Sequence, residues 1–118
     1  MKSRSTSRKK VRKRSVKNKE VIVLLQKSTR PEKKYMVTID DSKTIHFGAK
    51  NYSDYTKHKN KSRMLRYRNR HKSRENWGKS GLKTAGFWSL WILWNKPSFI
   101  DSIKDTEKRF NIKIIYKK

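Results

Sequence analysis

Tyr35-Met36-Val37-Thr38-Ile39-Asp40-Asp41-Ser42-Lys43-Thr44-Ile45-His46-Phe47 decides the fold class. In an extended chain successive side chains point to opposite faces, so Tyr35, Val37 and Ile39 share one face. Asp40-Asp41-Ser42-Lys43 is turn chemistry, and Thr44–Phe47 reads as a returning strand. Together they predict a β-hairpin, which Gly48 ends.

On the N-terminal side, Val21-Ile22-Val23-Leu24-Leu25 is a β-branched run of strand length. Ser28–Lys34 is a loop containing Pro31. On the C-terminal side, residues 49–58 are polar, with Tyr52 and Tyr55 among them. Helix formers dominate from Lys59 to Arg74. There Met64, Tyr67 and His71 recur at i, i+3, i+7 as one stripe, and Arg63, Arg66 and Arg70 recur at the same spacing on an adjacent face. Glu75–Lys83 is a loop with Gly78 and Gly81.

Thr84 predicts the N-cap of a short apolar helix over Ala85–Trp94, which Asn95-Lys96-Pro97 breaks. Ser98 predicts a second N-cap, with Asp101 at N3 in the capping-box position. Phe99, Ile103, Thr106 and Phe110 lie on one face of that helix. Ile112–Tyr116 predicts a last strand. The expected fold is α+β: a small antiparallel sheet packed against two or three short helices, with residues 20–118 as one domain.

Residues 1–19 carry ten Lys/Arg and no acid. They read as a disordered basic arm, a composition shared with nuclear-localisation signals. Arg8, Lys9, Lys10, Arg12, Lys13 and Arg14 form its densest part. The whole chain of 118 residues has 34 Lys/Arg against 9 Asp/Glu, a net charge of +25. Repulsion of that size opposes compaction unless a polyanion neutralises it. Clustered Lys/Arg is the electrostatic footprint of nucleic-acid binding, and an anionic membrane surface is the competing polyanion.

The chain has no Cys, which excludes disulfides and Cys-based zinc sites. No apolar h-region follows the basic N-terminus, so the protein is expected not to be secreted. The longest apolar stretch, Ala85–Trp94, is about half of the ~20 residues that span a bilayer. No membrane span is expected.

The main functional constellation runs from Lys57 to Lys79, where Glu75 is the single acid. Lys59, Arg63, Arg66, Arg70, Lys72, Arg74 and Lys79 are its candidate phosphate ligands, because guanidinium groups bond phosphate bidentately and stack on bases. A second constellation is aromatic. Phe87, Trp91 and Trp94 have helical spacing and read as core, whereas Trp77, between Asn76 and Gly78, is the candidate exposed ring for stacking.

Three other patterns fail. Gly78-Lys79-Ser80 lacks the upstream Gly and the strand of a phosphate-binding loop. His46, His58 and His71 lack ligand spacing. Asp40 and Asp41 belong to the turn, which leaves Asp54 alone as an imagined metal ligand. No catalytic residue, metal, cofactor or small-molecule substrate is expected.

Several short motifs in order resemble a known group. They are Lys34–Ile39 (KYMVTI), Ile45–His58 (IHFGAKNYSDYTKH), Arg68–Lys72 (RNRHK), Thr84–Trp88 (TAGFW), Trp91–Pro97 (WILWNKP) and Ser102–Thr106 (SIKDT). The chain is similar over about residues 34–112 to small basic proteins of nucleocytoplasmic large DNA viruses, such as the chlorella-virus and mimivirus groups. The resemblance implies a viral protein, packaged in the virion or held at the host-cell site of viral DNA replication and assembly. The expected role is a non-enzymatic nucleic-acid-binding accessory protein, with DNA favoured over RNA. The alternative is a minor capsid or cement protein whose partners are capsid proteins.

Overall fold

The computed structural model describes residues 20–118; the basic arm and its six candidate ligands lie outside the described residues. The hairpin forms as the alternation requires. Strand β2 (Lys33–Ile39) pairs antiparallel with β3 (Lys43–Ala49), placing Tyr35 opposite Phe47 and Val37 opposite Ile45. Asp40 and Asp41 turn the chain at positive φ (49° and 58°), a conformation that Asp tolerates better than most residues. Asp40 Oδ1 also accepts a hydrogen bond from Ile22 N at 2.9 Å, which ties the turn to the preceding strand.

That strand, β1 (Val21–Lys27), pairs antiparallel with β2. The last strand, β4 (Ile112–Tyr116), pairs with β1 in parallel, giving the order β3-β2-β1-β4. The sheet is therefore mixed: antiparallel through the hairpin, with one parallel edge. A parallel neighbour needs a crossover connection, and here every helix among the described residues lies in that connection.

Gly48 does not end β3 but lies within it at φ +79°. A Cβ there would come within 2.7 Å of Leu93 Cδ1. Glycine thus serves both the backbone conformation and the close approach of the helical layer.

The helical layer covers one face of the sheet. A short turn of helix, α1 (Tyr55–His58), is capped by Asp54, whose side chain accepts from Thr56 N. Helix α2 (Lys61–His71) is capped by Asn60. Thr84 caps α3 (Ala85–Trp88), which runs directly into a π-helical segment, Ser89–Leu93. Ser98 caps α4 (Phe99–Phe110), and Asn111 ends it at φ 55°.

The core lies between the two layers. Val23, Leu25, Val37 and Phe47 from the sheet meet Phe87, Trp88 and Ile92, all fully buried. Two indoles fasten the loop before α3: Trp88 Nε1 donates to Leu82 O at 2.7 Å, and Trp91 Nε1 to Trp77 O at 2.9 Å. The opposite sheet face is uncovered by described residues. Ile22 and Ile115 are exposed there, with Leu24 and Met36 half-buried.

Candidate nucleic-acid interface

Helix α2 docks by the stripe that its spacing predicts. Met64 is buried, and Tyr67 and His71 are half-buried. Tyr67 stacks on Trp94 with ring centroids 4.4 Å apart and planes 1° from parallel. His58 lies 5.4 Å beyond Trp94, and His71 lies 4.3 Å beyond Tyr67, so four rings form one row. Burial pushes the Tyr67 hydroxyl up to about 12, with the Glu75 charge adding to the effect. The phenol stays neutral at physiological pH.

His58 Nδ1 accepts from Asn60 N at 2.9 Å, so the proton sits on Nε2, which is buried with no partner among the described residues. Burial, then the neighbouring Arg63, lowers the His58 pKa.

Beside this row a cleft of about 550 Å³ opens between α2, the β2 and β3 ends and α3. Arg63 and Arg70 line it from α2, and Lys33 and Lys34 from β2. Ser89 and Leu93 of the π-helical segment line it too, together with Trp94, which follows the segment and whose N–H closes it on Leu90 O at 3.0 Å. Tyr52, 73% exposed, stands at its rim.

The cleft cations are not equivalent. Lys34 Nζ donates to Asp54 Oδ2 at 2.6 Å, and both side chains are almost fully buried. That pair belongs to the fold. Arg63 and Arg70 are exposed, and neither has an ion-pair partner among the described residues. Elsewhere, Glu107 and Asp105 serve local structure. Glu107 accepts from Ile114 N at 2.8 Å. Burial opposes ionisation of Asp105, but hydrogen bonds from Asn95 and Arg109 outweigh it and lower its pKa.

The other sequence candidates fall differently. Arg66 is exposed on α2 but does not line the cleft. Lys72, Arg74 and Lys79 are exposed beyond the helix end, with Arg74 Nη2 donating to Arg70 O at 3.3 Å. Lys59 is a clamp: it sits at φ 55° after α1, and its Nζ donates to Pro97 O at 2.6 Å. Trp77 corrects the expectation of an exposed ring. It is half-buried against the core because Trp91 holds its carbonyl, and its Nε1 is buried without a partner among the described residues. Phe87 and Trp91 are core, whereas Trp94 is half-buried and reaches the cleft.

Sequence reasoning missed Lys33, Tyr52, Tyr67 and Trp94 as cleft residues. Only Glu75, the single acid in the basic run, carried a signal. It lines the cleft, with its Oε2 3.8 Å from His71 Nδ1. Among the described residues no group of three or more His, Asp or Glu side chains could hold a metal ion, and no helix is long and apolar enough to cross a membrane.

Residues 23–71, from β1 to the end of α2, match a family of unknown function (DUF5754). The match includes the hairpin, the Lys34–Asp54 pair and the Arg63 and Arg70 wall of the cleft. Its description gives no activity, ligand or source. No curated protein and no solved structure matches the chain.

Proposed function

We propose that this chain is a non-enzymatic nucleic-acid-binding accessory protein whose folded part grips the sugar–phosphate backbone through α2. The observation that carries the reading is the state of its charges. Arg63 and Arg70 converge with Lys33 on one cleft without acidic partners, while Lys34 is neutralised by Asp54. Residues 20–118 hold 24 Lys/Arg and 9 Asp/Glu, so the described part alone keeps an excess of +15. Arm and body then act together on one polyanion. DNA is the favoured polymer, and virion association the favoured setting, on the resemblance to proteins of large DNA viruses.

The test compares the full chain with Arg63→Glu/Arg70→Glu in binding duplex DNA, single-stranded DNA and RNA. Both residues are exposed, so the thermal melt should hardly move. Affinity should fall by a similar factor across sequences, because phosphate contacts carry no base information. Unchanged affinity in a folded variant would remove α2 from the interface.

The minor-capsid reading rests on the uncovered sheet face, where Ile22 is 45% and Ile115 43% exposed. An apolar patch of this kind suits a protein neighbour. Fractionation of disrupted virions separates the two readings. Release from DNA at high salt supports genome binding, and retention on nuclease-treated shells through high salt supports a capsid partner.

A further inference from the structure

We propose that the cleft takes one unpaired nucleotide of the bound strand and reads its base through Glu75, with guanine fitting best. This inference rests on the nucleic-acid reading above and gives it a base preference that the Arg row alone does not supply. The cleft volume, about 550 Å³, falls within the ~300–1,000 Å³ of small-ligand sites. Its walls divide by chemistry. Arg63 and Arg70 offer guanidinium donors for a phosphate, and Tyr67 and Trp94 offer apolar ring edges.

Glu75 is the odd member of this cationic wall. Its carboxylate accepts no hydrogen bond among the described residues, and the ring nitrogen nearest to it, His71 Nδ1, is 3.8 Å away. It is seated against α3, where a Cβ on Gly86 would lie 1.9 Å from Oε1 and 2.5 Å from Cδ. Glycine at this position leaves the carboxylate its place in the cleft.

An ionised carboxylate has two acceptor oxygens and no donor. The guanine N1–H and N2–H₂ present two parallel donors that match it. Cytosine and adenine present one amino group beside an acceptor. Uracil and thymine present a single N–H flanked by two carbonyls, which the carboxylate repels. The order of preference is therefore guanine, then cytosine and adenine, then uracil and thymine.

The experiment titrates the full chain with 5′-GMP and 5′-UMP, following tryptophan and tyrosine signals by NMR, and repeats both titrations with Glu75→Gln and Gly86→Ala. The intact protein should favour GMP by about tenfold, the scale of one good side-chain pairing with a base edge. Glu75→Gln removes a negative charge from a basic cleft, so UMP affinity should hold or rise while GMP affinity falls. A general loss of structure would lower both. Gly86→Ala displaces the carboxylate but keeps its charge, so it should erase the preference and leave the melt unchanged or raised. Equal affinity for GMP and UMP in the intact protein would overturn base reading. Strong binding to DNA or RNA strands with no mononucleotide binding would overturn the cleft as the site, yet leave the backbone reading standing. Failure to bind any strand would instead overturn that reading.

Discussion

Replacing Lys34 with methionine removes the ammonium from a pair in which Nζ sits 2.6 Å from Asp54 Oδ2. The lysine side chain is 7% exposed and the aspartate 2%, so water cannot take over the lost partner. Asp54 keeps its bonds from Thr56 N and Thr56 Oγ1, which are neutral donors and leave its charge uncompensated. Breaking one side of such a buried pair costs about 3–5 kcal/mol. In a domain of this size each kcal/mol moves Tm by about 4–8 °C, so the melt should fall by well over 10 °C. Asp54→Asn alone should cost a similar amount, because it strands the ammonium, although Asn still caps α1 well. The double variant Lys34→Met/Asp54→Asn has no buried charge and should recover most of the loss. Calorimetry on the four proteins reads this cycle. If the single changes each cost under about 1 kcal/mol and simply add, Lys34 is not a fold cation, and its exclusion from the binding surface is wrong.

Gly48→Ala should lower stability in urea titration, since φ +79° strains any Cβ by about 1–2 kcal/mol and the crowding against Leu93 adds about 1–3 kcal/mol. Met64→Ala should cost about 2–5 kcal/mol by thermal melting, because Met64 is the buried residue of the α2 stripe. His58 has a folded pKa below its ordinary 6.5, so the unfolded chain takes up the proton first. Its contribution to stability is therefore complete above about pH 6.5 and is lost as pH falls below that value. His58→Gln should flatten the melting temperature between pH 7.5 and 5.5, and an identical pH profile in the variant would rule His58 out as the group responsible.

The elements built from local rules were legible in the sequence. The period-two alternation marks the hairpin, and Thr84 and Ser98 occupy the cap positions that their residue types predict. The Met64, Tyr67, His71 stripe faces inward, and Arg63, Arg66 and Arg70 face out. What was hidden depends on contacts distant in the chain. The parallel pairing of β1 with β4 joins Val21 to Ile112, and no local pattern in either strand distinguishes it from an antiparallel one. The cleft joins Lys33 at the start of β2 to Trp94 of the helical layer, so its shape follows from packing. Trp77 misled because its polar sequence neighbours hide the hydrogen bond that its own carbonyl accepts from Trp91 Nε1. Lys59 misled because its charge obscured its positive φ and its bond to Pro97.

In the proposed binding mode the cations of arm and α2 neutralise phosphates. The salt dependence of duplex DNA affinity measures this directly, because each neutralised phosphate contributes about 0.9 to the log–log slope. The slope should be steep for the full chain, and it should fall by about 0.9 for each phosphate contact removed in Arg63→Glu/Arg70→Glu. It should fall further when residues 1–19, with their ten positive charges, are deleted. A shallow slope, left unchanged by both alterations, would contradict the account.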